Sequence, residues 1–335
     1  MVFAQATAIT GAGPIGPRTV DVHPETFRPH PIHATERIWS ETNCYVDLWV
    51  ELIHVLGADP RPAMASVLDA GFDGLQWSFV KPQSEDLRNL YGIRVDEMNV
   101  WKPFHEHLIE NLTHGRLSTV EVDSHWLPDT AGTTYRSGHG KTTIVPLTID
   151  PSLRTMTYLH NAGCYEVSGE DFDGSLGIGE RAPLLPPYLE QIAVDVDRLD
   201  AGPAVDDRDI RSIAEHFARR PAGNPAADLG RRVVADIEWV QSAGPDAFHL
   251  WSFGTFRQLG ATAEIAADVA GYLVDRGIGD AAAAVEPFLA VATAAKSGQF
   301  RMARAARGRA VDLTETVDAM SGGWAAAVDA LDAAL

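Results

Sequence analysis

Only two cysteines, Cys44 and Cys164, occur in the 335 residues. Two thiols make no disulfide framework, and no set of Cys and His stands at zinc-ligand spacing, so no metal is expected. Basic residues are scarce as well: 27 Lys and Arg face 46 Asp and Glu, for a formal charge of −19. That balance argues against nucleic acid as a partner, because neutralising phosphates takes clustered Lys and Arg. It argues equally against an anionic membrane surface. No apolar run approaches the roughly 18 residues of a membrane span. The chain start has neither the charged head nor the apolar core of a secretory signal. A reducing cytoplasm is the compartment these absences imply.

What is present is globular chemistry, with 45% apolar and 22% charged residues, in a chain long enough for two cores. Two glycine motifs fail on context. Gly11-Ala-Gly13-Pro-Ile-Gly16 spells GxGxxG, but Pro17, Pro24, Pro29 and Pro31 forbid the helix a dinucleotide site needs next. Gly138-His-Gly140-Lys141-Thr142 has Tyr135 where a phosphate loop needs its first glycine, and a β-type run follows it.

Residues 1–33, rich in Pro and Gly, read as an extended arm. Trp49, Leu52, Ile53 and Leu56 then recur at helical spacing, with Thr42 or Asn43 placed to cap and Gly57 with Pro60 to close. Helices also fit 83–91 and 103–114. Next the period changes to two: 117–122, 142–149 and 155–160 are short β-branched runs separated by turn chemistry. These make an α+β domain over 34–180, with an antiparallel sheet behind the early helices. Residues 181–187 (RAPLLPP) read as a linker. The Ala-rich stretches beyond it favour helix, so 181–335 is expected to be an all-α domain.

Cys44 is predicted in the first turn of the 43–57 helix, where free N–H groups and the helix dipole favour an anion and would stabilise a thiolate. The same N–H groups are suited to an oxyanion. Cys164 lacks such a setting and reads as structural. A cysteine nucleophile needs a base and the base an orienting group. His139, in a Gly-flanked turn opening a strand, is the best-placed histidine. Asp150 lies too far along the same extended run to orient it. Asn161, at the end of the returning strand, comes back beside it, giving a Cys44-His139-Asn161 constellation. Glu121 and Asp123 alternate on one strand face and, with His125, suit a metal or a substrate amine. Trp77, Trp101 and Trp126 are candidates for lining a substrate cleft.

The order of these elements is familiar. Asn43-Cys44-Tyr45 opens a helix, Gly115-Arg-Leu-Ser-Thr-Val-Glu-Val-Asp123 follows, a His opens one strand, Asn161 closes the next, and Gly169-Glu-Asp-Phe172 comes after. The pattern resembles papain-like cysteine acyltransferases of the butirosin-biosynthesis H-protein type. From Trp39 to Phe172 it is more closely similar to an uncharacterised bacterial family associated with genes for amino acid:carrier-protein ligases. The resemblance implies a papain-like catalytic domain and a transfer reaction. An aminoacyl group on the phosphopantetheine arm of an acidic carrier protein would pass to the Cys44 thiolate, with His139 as base and Asn161 fixing its tautomer. A small-molecule or peptide amine would then take it. No cofactor beyond that arm is implied. Papain-like enzymes complete the oxyanion hole with a Gln six residues before the nucleophile; here position 38 is Ile, leaving Asn43 or Thr42 as donors. Glu121, Asp123 and Trp126 are the expected substrate contacts.

Five basic residues and no acidic one lie between Lys296 and Arg309. On a helix, Lys296, Arg301, Arg304 and Arg307 share a broad face that suits an acidic carrier. A cysteine peptidase or amidase and a non-catalytic carrier-binding module are the alternatives.

Overall fold

The computed structural model describes residues 20–183 and 185–335. The Gly11–Gly16 motif and the first 19 residues of the expected arm lie outside the described residues. In chain order the helices are α1 (Cys44–Val55), α2 (Ser84–Tyr91), α3 (Phe104–Thr113), α4 (Gly169–Ser175), α5 (Val196–Ala201) and α6 (Arg208–Ala218), then α7 (Pro225–Ala235), α8 (Ile237–Ser252), α9 (Gln258–Asp275), α10 (Ala282–Ala305) and α11 (Thr314–Ala334). The strands are β1 (Ile93–Glu97), β2 (Leu117–Asp123), β3 (Lys141–Asp150), β4 (Thr155–His160), β5 (Gly163–Ser168) and β6 (Leu189–Val194). A mixed α+β chain with a helical C-terminal region results.

The described residues divide into two compact units, 93–195 with 20–28, and 29–92 with 196–335. Among the described residues the sheet unit carries six strands, antiparallel throughout, in the order β1-β6-β2-β3-β4-β5. The period of two seen in the sequence does not become an alternation of burial: β2, β3 and β4 are covered on both faces over most of their length, with Val120, Ile144 and Tyr158 fully buried. β4 and β5 form a hairpin whose turn is Asn161-Ala162. The 181–187 stretch does not leave this unit, because β6 follows it and inserts between β1 and β2.

The helical unit has a different chain composition from the one expected. Its core comes from α9 and α10, where Ala266, Ala270, Phe288 and Val291 are buried, together with the segment 29–92. Trp39 packs so closely on α9 that a Cβ at Gly260 would fall 2.3 Å from the indole nitrogen. α1 therefore belongs to this unit and not to a single 34–180 domain. The described end of the arm is also fixed here: His30 N–H donates to Glu51 of α1 at 3.0 Å, and buried His33 meets the same carboxylate at 2.5 Å. Among the described residues no helix is long and apolar enough to cross a membrane.

Candidate functional site

The C-terminal end of β2 and the turn before β3 line a cleft of the sheet unit that carries several titratable side chains. Antiparallel register sets Asp123 opposite Lys141 and Glu121 opposite Thr143, so both acids project from one sheet face. His139, two residues before β3 starts, is thereby delivered to Asp123. Its Nδ1–H donates to Asp123 Oδ2 at 2.6 Å. Asp123 Oδ1 accepts the backbone N–H of His125 at 3.0 Å and of Gly140 at 3.3 Å. Burial works against the Asp123 charge, but the bonds from His139, His125 and Gly140 outweigh it and hold the carboxyl below its usual range. The ring of His125 stacks on that of His139, with centroids 4.6 Å apart and planes 12° from parallel. His125 is fixed in turn by Gly138 O, 2.9 Å from its Nδ1. With Nδ1 held by a carboxylate, Nε2 is the ring nitrogen of His139 left to meet a ligand.

A cleft of about 450 Å³ opens beside this pair. Phe104, Val122, Trp126 and Leu185 supply apolar wall, and Glu121, Lys141 and Arg181 supply charge. Glu121 and Lys141 neutralise each other at 2.6 Å. Trp126 lies against Gly174 of α4, where an added Cβ would come 2.0 Å from the indole, so that position requires glycine. The guanidinium carbons of Arg136 and Arg181 sit 4.6 and 5.1 Å from the indole centroid. Among the described residues no group of three or more His, Cys, Asp or Glu is placed to hold a metal ion.

Two family comparisons cover most of the chain: the DUF1839 N-terminal domain matches residues 28–194 and the DUF1839 C-terminal domain residues 205–333. The chain belongs to the DUF1839 family. No curated protein matches it. The gap between the two DUF1839 matches falls just after β6, where the chain also leaves the sheet unit, rather than at 181–187.

Several residues singled out in this DUF1839 sequence take other roles. Cys44 does open α1 and is half-exposed, but it belongs to the helical unit while His139 and Asn161 belong to the sheet unit. Asn43 is the cap: its Oδ1 accepts Tyr45 N–H and Val46 N–H at 3.1 and 2.9 Å, and its Nδ2 donates to Val80 O. The Thr42 N–H donates to Asp47 at 2.9 Å. Both are buried and committed to the helix start, so neither is a free oxyanion donor. The orienting residue of His139 is Asp123, not Asn161. Asn161 occupies the tight β4–β5 turn at φ +47°, a left-handed conformation that Asn tolerates better than most residues. Asp123, expected as a substrate contact, is instead bonded to His139, and Glu121 is engaged by Lys141. Cys164 is buried, which pushes its thiol up to about 11, in keeping with a structural residue.

The basic face is narrower than its spacing implies. Lys296 is half-buried with its Nζ 4.1 Å over the Trp39 ring, and burial followed by the charge of Arg257 lowers its pKa. Arg301 donates to Asp312 O at 2.8 Å. Arg304 and Arg307 remain exposed, Arg307 past the end of α10. The three tryptophans also separate: Trp77 is buried against Trp324, Trp101 is exposed, and Trp126 lines the cleft.

Sequence reasoning missed three histidines held by carboxylates. His160 bonds Asp129 at 2.5 Å and Thr142 at 2.7 Å. His33 lies between Glu51 and Asp47, and His216 between Asp69 and Asp86. Each acid is distant in sequence or lies on another element, so no local spacing announces the pair. For the Asp123–His139 pair the sequence shows an acid ending one strand and a histidine two residues before the next, but only the register of β2 against β3 brings the two together.

Proposed function

We propose that this protein is an acyltransferase in which His139, oriented by Asp123, is the general base that activates an amine acceptor. The observation that carries the reading is the 2.6 Å His139–Asp123 bond on the wall of a 450 Å³ cleft, since a base must be accessible, oriented and beside room for substrate. The donor is an aminoacyl thioester on the phosphopantetheine arm of an acidic carrier protein, in keeping with the papain-like resemblance and a cytoplasmic setting. The acceptor nitrogen attacks the thioester carbonyl while Nε2 of His139 takes its proton. The C–N bond forms, the C–S bond breaks, and the departing thiolate receives that proton. Exchange of thioester for amide is downhill, so the protein's task is positioning and proton transfer.

Cys44 carries the covalent version of the reaction, in which its thiolate takes the acyl group first. Mixing the protein with an aminoacyl-loaded carrier and recording intact masses tests both forms. Amide product that disappears in His139→Ala supports the general-base reading. Full turnover in that variant sinks it. An adduct that Cys44→Ala removes assigns the covalent route, and turnover by Cys44→Ala assigns direct attack. Hydrolysis is the second reading, favoured by the exposure of His139, whose side chain is 74% accessible and open to water as the acceptor.

A further inference from the structure

We infer that the cleft binds an apolar organic carboxylate, with Arg181 on its acid group and Trp126 and Phe104 against its body. The inference rests on the acyl-transfer reading only in making this ligand the acceptor, an amino carboxylate whose amine lies toward His139.

The charged groups of the lining are Glu121, Asp123, His139, Lys141 and Arg181. Four of them answer one another. Asp123 is committed to His139 and two backbone N–H groups, and Glu121 is committed to Lys141. Arg181 differs, because its partner Glu170 is not part of the cleft wall. The two meet at 2.7 Å with side chains 34% and 59% exposed. An exposed pair of this kind contributes little to stability, so a ligand carboxylate can replace Glu170 at little cost. A guanidinium offers parallel N–H donors that match a carboxylate in two-point geometry. The neighbouring wall is apolar on Phe104, Trp126, Val122 and Leu185, which lowers the local dielectric and strengthens a charge pair formed there. A cationic ligand would meet Arg181 and find both cleft carboxylates already engaged. The volume is that of a small-molecule site.

Calorimetric titration of the full chain with three probes of one shape tests this: 3-phenylpropionate, 3-phenylpropanol and 3-phenylpropylamine. The carboxylate is expected to bind at least about ten-fold tighter than the alcohol, with the amine weakest. Arg181→Gln should cut carboxylate affinity about ten-fold and leave the alcohol unchanged. On the unaltered protein, raising salt from about 50 to about 500 mM should weaken the carboxylate alone. Loss of turnover in His139→Ala, read beside carboxylate binding measured on the unaltered protein and on Arg181→Gln, separates the base from the ligand site. Equal or tighter binding of the amine overturns the inference. So does a salt-independent carboxylate affinity, or one untouched by Arg181→Gln in a protein whose circular dichroism is native.

Discussion

Two His–Asp pairs stand in the same sheet unit with nearly the same bond and opposite surroundings. His139–Asp123 has side chains 74% and 36% exposed; His160–Asp129 has them 1% and 4% exposed. The buried pair looks the more triad-like, since Thr142 Oγ1 lies 2.7 Å from His160 Nε2 and the Tyr158 hydroxyl also donates to Asp129. Yet all its groups are satisfied internally and no substrate reaches them. Burial and the neighbouring Asp129 raise the Tyr158 hydroxyl far above its ordinary value, which keeps it a donor. The lesson is that a histidine's oriented tautomer marks a base only where a cleft meets its free nitrogen. Elsewhere the same bond is a fastening.

The contrast breaks most directly by mutation. His139→Ala is expected to lower amide formation by about 10²–10⁴ while leaving the melting temperature within a degree or so, as suits a largely exposed side chain. Asp123→Asn should cost less in rate than this, provided the ring keeps its place. Thermal melts beside single-turnover rates measure both. His160→Ala should do the reverse, destabilising the sheet unit by about 1–3 kcal/mol because it leaves the buried Asp129 and Thr142 without their hydrogen-bond partner. A stable, fully folded His160→Ala that has lost activity would invert the comparison and make the sealed pair the working one.

How much of this was legible follows the range of the interactions. α1, α2 and α3, the β2, β3 and β4 runs and the C-terminal helices show in local periodicity, because each buries its own apolar stripe. β1 and β6 do not, since their pairing joins residues about a hundred apart and their faces carry Glu97, Glu190 and Gln191. For the same reason the 181–187 stretch reads as a linker although the chain returns to the sheet after it. His139 was visible as a glycine-flanked residue before a strand. Its partner was not, because the register of β2 against β3, rather than the return of β4, decides which side chain faces the ring. Asn161 was read for its chemistry when its backbone conformation was the reason for its place.

The helical unit sharpens the comparison through pH. Each ring nitrogen of His216 faces a carboxylate, Asp69 and Asp86, both at 2.7 Å, with the Arg219 guanidinium also 2.8 Å from Nδ1. Burial opposes the charge, but the two acids outweigh it and raise His216 to about 9 from 6.5. Glu51 and Asp47 do the same for His33, also to about 9. A folded-state value above the unfolded one means that the stabilisation is complete below about pH 6.5 and is lost as pH rises through about 9. Melting of the helical unit should therefore fall across that window, and His216→Gln should flatten the fall. A melting profile independent of pH from 6.5 to 9 would show that neither histidine is charged in the fold.

The smallest expected effect concerns Asn43, where cap and oxyanion donor make different demands. As a cap it satisfies the N–H groups of Tyr45 and Val46 and ties α1 to Val80 O. Asn43→Ala should then cost about 1 kcal/mol of stability, and Asn43→Asp should retain most of the cap while losing the link to Val80. Turnover per folded molecule should be unchanged in both, because the Asn43 amide donates to the backbone and not into a cleft. If instead Asn43→Ala melts like the parent protein but slows acyl transfer about a hundred-fold, the amide leaves Val80 during the reaction. The helix start would then act on the oxyanion.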